Sequence, residues 1–73
     1  MDYDKIFCER LKLLRDSHGF SQKQVAEAVG VSRTGYIYVE TGRKKPSFDT
    51  LIALADFFDV SLDYLCGRDG KDP

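Results

Sequence analysis

The chain has 73 residues, 42% of them hydrophobic and 32% charged, with a formal net charge of −1, which describes one small domain with a modest core. No stretch approaches the roughly eighteen consecutive apolar residues that a membrane span needs, and the acidic start MDYDKIFCER lacks the apolar centre of a signal peptide, so a cytoplasmic chain is expected. One histidine, two cysteines 58 positions apart and scattered carboxylates offer no nucleophile-and-base set, no metal-site spacing and no disulfide framework, and no cofactor or enzymatic activity is expected.

In chain order, the first helix is expected from a cap at Asp2 or Asp4 to about Ser17, with residues 1–3 frayed. Phe7, Leu11 and Leu14 recur at spacings of four and three and form its inward stripe. Ile6 and Leu13 form a second apolar stripe, to be partly buried against the C-terminal helix or used against another subunit. His18 and Gly19 read as a short connection; His18 has no carboxylate or cysteine cluster beside it and reads as a loop histidine. Phe20 reads as a core anchor.

The stretch from Ser21 to Gly42, SQKQVAEAVGVSRTGYIYVETG, organises the rest. Ser21 caps a second helix, and Gln24, three residues on, can complete a capping box. Val25, Ala26 and Val29 share one face. Gly30 follows, where a helix end needs the left-handed conformation. Val31 enters the core and Ser32 caps a third helix, on which Tyr36 and Val39 point inward. Ala26 must be small because the third helix crosses close to it. Two short helices crossed in this way leave the outer side of the second one uncovered, as in a helix-turn-helix that enters the DNA major groove. Gly35 inside this helix costs about 1 kcal/mol relative to alanine; a close approach to the sugar-phosphate backbone and simple weak helicity are the two readings of it.

The cations Arg43, Lys44 and Lys45 follow directly, then Pro46. Ser47 caps a fourth helix with Asp49 in its first turn, where negative charge suits the helix dipole. Phe48, Leu51, Ile52, Leu54, Ala55 and Phe58 read mostly as core, and Phe57 as part exposed. Ser61 caps a short fifth helix bearing Leu62 and Leu65, closed by Gly67. A single domain over 4–67 is expected, with a polar, disordered tail over 68–73. Residues 1–45 hold nine Lys or Arg against six Asp or Glu, and residues 46–73 hold two against six. The net values of +3 and −4 imply a basic and an acidic face, so the overall charge does not exclude a nucleic-acid partner. Cys8 and Cys66 read as small buried thiols; a redox pair is the alternative if the first and last helices bring them together.

From Leu11 to Leu65 the chain resembles the Xre family, the phage repressor and Cro type of DNA-binding domain. The matching pieces are LKLLRDSHGFSQKQVAEAVGVSR, the segment Val39-Glu40-Thr41-Gly42-Arg43, and PSFDTLIALADFFDVSLDYL. The resemblance implies an all-α, compact five-helix bundle in which helices 2 and 3 form the helix-turn-helix. It implies phosphate contacts from Gln22, Arg43, Lys44 and Lys45, and base or groove contacts from Arg33, Thr34, Ile37 and Tyr38. It implies a structural salt bridge between Arg15 and Glu40. Ile37 and Tyr38 depart from the family, in which polar readers are common at these positions; Ile37 suits a thymine methyl and Tyr38 a phosphate or base, and the alternative is that one of them packs on the core. The leading expectation is a sequence-specific regulator of double-stranded DNA, a repressor acting as a homodimer on a near-palindrome. Val60, Leu62 and Tyr64 are its expected dimer surface, with Phe57 as an outside candidate. The competing expectation is a protein-interaction module on the same fold, an antitoxin or an anti-repressor.

Overall fold

The computed structural model describes residues 2–69. These form five α-helices: α1 (Tyr3–His18), α2 (Gln22–Val29), α3 (Arg33–Glu40), α4 (Phe48–Phe58) and α5 (Leu62–Leu65). Each helix supplies one side chain with no exposure at all: Leu11, Val25, Tyr36, Leu54 and Leu65. Burying an aliphatic side chain of this size is worth about 1.5–3 kcal/mol, so every helix is held mainly by what it places in the shared centre.

The caps explain where the helices begin. Asp2 accepts a hydrogen bond from the Lys5 N–H at 3.0 Å, so α1 starts at Tyr3, a residue expected to fray. Ser21 and Gln24 form the reciprocal capping box: Ser21 Oγ accepts from the Gln24 N–H at 3.0 Å, and Gln24 Oε1 accepts from the Ser21 N–H at 2.8 Å. Ser32, Ser47 and Ser61 cap α3, α4 and α5 through the backbone N–H groups of Gly35, Thr50 and Tyr64. Each cap satisfies a donor that the helix itself cannot.

Gly30 ends α2 with φ +81°, and nothing lies within 4 Å of where its Cβ would be. The glycine is therefore used for its backbone conformation, not for space. Its N–H and that of Val31 both donate to the Ala26 carbonyl at 3.0 Å, which turns the chain sharply into α3. Asp59 ends α4 in the same left-handed region, with φ +55°, a conformation that aspartate tolerates better than most residues.

Four sequence expectations change. His18 closes α1; its Nδ1 lies 2.8 Å from the Leu14 carbonyl and donates to it. Its ring stacks on Phe20 with centroids 5.7 Å apart. Phe48 is 71% exposed, because α4 overhangs the core by its first turn and periodicity does not sense where a core stops. Ile6 lies under Gly67, whereas Leu13, on the same side of α1, is 61% exposed. Arg68 and Asp69, expected in a polar tail, are tied down. The Arg68 N–H donates to the Asp63 carbonyl at 2.7 Å, and the Asp69 carboxylate meets Arg10 at 2.6 Å. Residues 70–73 of that tail lie outside the described residues.

Candidate nucleic-acid interface

The α2–turn–α3 unit sets the geometry. Ala26 is buried, leaving α3 room to cross close to α2. On the inner side of α3, Tyr36, Val39 and Glu40 are buried. On its outer side, Arg33, Thr34 and Tyr38 are exposed and Ile37 is half-buried. Gln22, the first residue of α2, is half-buried.

The only acidic residue of α3 is the one turned inward. Glu40 is 6% exposed, and the Arg15 guanidinium of α1 donates to it through Nη2 at 2.7 Å and through Nε at 3.0 and 3.2 Å. Arg15 Nη1 donates to the Phe20 carbonyl at 3.1 Å. One side chain thus links α1, the start of the second helix and α3. The carboxylate keeps the Arg15 proton on, raising its pKa through their hydrogen bond. With Glu40 neutralised inside, the charge α3 presents outward is that of Arg33.

The Tyr36 hydroxyl is enclosed in the core beside the Arg15–Glu40 pair, and no atom of the described residues meets it with hydrogen-bond geometry. Burial, followed by the nearby Glu40 carboxylate, pushes its pKa far upward.

The basic loop is fastened to the end of α3. The Arg43 and Lys44 N–H groups both donate to the Tyr38 carbonyl, at 2.8 and 3.1 Å. The Arg43 guanidinium stands 5.7 Å from the Tyr38 ring centroid, within cation–π range. Arg43, Lys44 and Lys45 are all exposed. Lys45 Nζ lies 3.6 Å from an Asp4 carboxylate oxygen, a solvent-exposed pair of the kind water and salt readily exchange. The result is one continuous surface: the outer side of α3, then three cations at its C-terminal end. A duplex carries one negative charge per about 1.7 Å of axis, and the four exposed cations Arg33, Arg43, Lys44 and Lys45 give this surface the opposite sign.

Cys8 Sγ donates to the Val39 carbonyl at 3.4 Å, a link from α1 to the end of α3 that no sequence pattern announces. Cys8 and Cys66 are half-buried and free; burial, then neighbouring carboxylates, raises both thiol pKa values. At Gly35 a Cβ would sit 3.0 Å from Ser32 Oγ, the cap that accepts the Gly35 N–H, a tight fit, although Gln24, Thr50 and Tyr64 carry a Cβ at the same position of the other serine-capped helices.

The residues expected on a dimer surface are only partly available. Leu62 is 39% exposed, Val60 is half-buried against the core, and the half-buried Tyr64 has the Arg10 guanidinium 4.5 Å above its ring. Phe57 is exposed yet packs on Phe20 and Phe58, at 5.3 and 5.0 Å between centroids.

The helix-turn-helix family model matches residues 11–65. An HTH-type transcriptional regulator of Bacillus subtilis, YobD, is 41% identical over 69 residues, covering 93% of this chain and 62% of the relative. The cryptic phage CTXphi transcriptional repressor RstR of Vibrio cholerae is 38% identical over 60 residues, 82% of this chain and 54% of the relative. This chain thus spans a little over half the length of such curated relatives. Among solved structures, the P22 c2 repressor in complex with a synthetic operator superposes with a TM-score of 0.81 at 28% identity, over 88% of this chain and 97% of that one. A transcriptional regulator from Listeria innocua also gives 0.81, at 34% identity, over 92% of this chain and 63% of that one.

Proposed function

Because this chain belongs to the helix-turn-helix family of the Xre and Cro type, we propose that it is a sequence-specific, cytoplasmic DNA-binding regulator, a repressor that inserts α3 into the major groove. The observation that carries this reading is the uncovered outer side of α3 running into the exposed Arg43–Lys45 loop, with the helix's own carboxylate sequestered by Arg15. Arg33 has the fork that suits guanine, Thr34 and Ile37 offer a methyl surface to thymine, and Tyr38 offers a hydroxyl. Gln22, Arg43, Lys44 and Lys45 take phosphates, assisted by the N-terminal N–H groups of α2. These contacts position the domain, while the α3 side chains carry sequence preference.

The protein acts as a homodimer through the α5 region, with Val60, Leu62 and Tyr64 at the contact. Two copies then read half-sites about one helical turn apart in a near-palindrome. The P22 c2 repressor in complex with a synthetic operator, alike in fold, supports the DNA-binding part of this reading. The folded unit runs from Asp2, which caps α1, to Asp69, held by Arg10, a little wider than the expected 4–67. A protein partner in addition to DNA, as for an antitoxin or anti-repressor, is the second reading; the exposed Leu13 on α1 favours it.

Selection of bound sequences from a random DNA pool tests the proposal. Recovery of a two-fold symmetric sequence supports it. Recovery of unselected DNA, or of none at low salt, contradicts it.

A further inference from the structure

One side of α1 is occupied by the segment that follows α5. Tyr3, Ile6 and Arg10 fall at spacings of three and four and so share a helical face. The Arg68 guanidinium lies 5.8 Å from the Tyr3 ring centroid. Gly67 lies so close to Ile6 that a Cβ there would stand 2.6 Å from Ile6 Cγ2. Arg10 then makes three contacts at once: its guanidinium covers the Tyr64 ring, and its Nη1 donates both to the Tyr64 carbonyl and, at 2.6 Å, to an Asp69 carboxylate oxygen.

These contacts matter because α5 is only four residues long. A single helical turn does not hold itself in water; its position is set by what grips it. Leu65 anchors its inner side. Arg10 grips its last turn, where a cation on a terminal carbonyl also suits the helix dipole. The same helix, α1, carries Arg15, which fixes α3 through Glu40. Arg10 and Arg15 are separated by about 7.5 Å along one rigid axis. The DNA-reading helix and the α5 surface are therefore registered to a common beam by two arginines.

We propose that Arg10 is a positioning residue for operator binding: by fixing α5 and residues 67–69 to α1, it sets the separation at which two copies present their α3 helices. The inference rests on the homodimer reading given above. Half-sites lie about 34 Å apart; over that span a tilt of about 6° at the α5 contact moves the partner's α3 by about 3.4 Å, the rise of one base pair. Loosening Arg10 therefore loosens the spacing that the dimer demands without touching a DNA contact.

Wild type, Arg10→Ala and Asp69→Asn are titrated with three kinds of duplex: one carrying a single selected half-site, one carrying the selected full site, and full sites with the spacing lengthened or shortened by one base pair. Arg10→Ala should bind the half-site within about twofold of wild type and the full site about tenfold more weakly, since the gain from linking two half-sites depends on both being reached together. Its preference for the selected spacing over the altered ones should shrink. Asp69→Asn, which keeps the Tyr64 contacts, should move in the same direction by less, and it decides the matter if circular dichroism shows that Arg10→Ala does not fold. Equal losses on half-site and full site, or an unchanged spacing preference, overturn the proposal. A wild-type protein that binds the full site no tighter than the half-site overturns the homodimer reading itself, before any variant is compared.

Discussion

Arg15 and Glu40 stand 25 positions apart in sequence and meet with Arg15 Nη2 2.7 Å from Glu40 Oε1, joining α1 to the inner side of α3. The Glu40 side chain is 3% exposed and that of Arg15 13%, so the pair is largely withdrawn from water. Replacing Glu40 alone with alanine should cost about 3 kcal/mol, the low end for a broken buried pair, because the guanidinium keeps the Phe20 carbonyl and lies 3.5 Å from Asp16. The double replacement Arg15→Met with Glu40→Leu should recover most of that loss. Urea unfolding of the single and double variants checks both expectations; a single variant within about 0.5 kcal/mol of wild type would show that the pair holds nothing.

Much of this arrangement is legible in the sequence because its causes are local. Ser21 with Gln24 announces a capping box, Gly30 a left-handed turn, and the spacing of Tyr36 and Val39 the inward side of α3. What escapes the sequence depends on where the core ends or on residues far apart. Phe48 satisfies the periodicity of α4 and still lies in solvent, one turn beyond its neighbours' cover. Arg10 is 59 positions from Asp69, and no spacing rule connects them. Ile37 and Tyr38 are neighbours in sequence, yet Tyr38 is exposed under Arg43 while Ile37 is half-buried, a difference that sequence position does not reveal.

Alkaline pH should unfold the chain. Cys8 and Cys66 have thiol pKa values raised above the ordinary 9.0, and the Tyr36 phenol is raised above its ordinary 10.0. Each holds its proton more tightly when folded, so between its ordinary and raised values the unfolded chain binds fewer protons and stability falls as pH rises. The loss should begin as pH passes 9.0 and steepen past 10.0. Tyr36→Phe should remove the second part. It should also leave neutral-pH stability within about 1 kcal/mol of wild type, because the deleted hydroxyl makes no hydrogen bond. Urea midpoints that stay constant from neutral pH to beyond the phenol range would contradict this.

Gly67→Ala and Gly30→Ala separate two reasons for a glycine. Both have positive φ, +80° and +81°, and a left-handed alanine costs about 1–2 kcal/mol. At Gly30 that is the whole cost, since a Cβ there meets nothing within 4 Å. At Gly67 the Cβ also collides with Ile6, whose branched carbon cannot swing away cheaply. Thermal unfolding should rank Gly67→Ala below Gly30→Ala; the reverse order would mean that residues 67–69 do not lie on α1.

Arg33→Ala should relax base preference at one position in each half-site, with a loss of about 1–3 kcal/mol on the preferred sequence. Binding to DNA altered at that position should weaken much less. Equal losses on both sequences would make Arg33 a phosphate contact.

If the outer side of α3 and the loop after it meet a DNA duplex, binding must respond to salt. Affinity for the selected sequence, measured against salt concentration for wild type and for Lys44→Ala, tests it most directly. The logarithm of affinity should fall steeply and linearly with the logarithm of salt, and Lys44→Ala should weaken binding and reduce the slope by about one unit. Affinity indifferent to salt, or a slope and an affinity untouched by Lys44→Ala, would contradict the account.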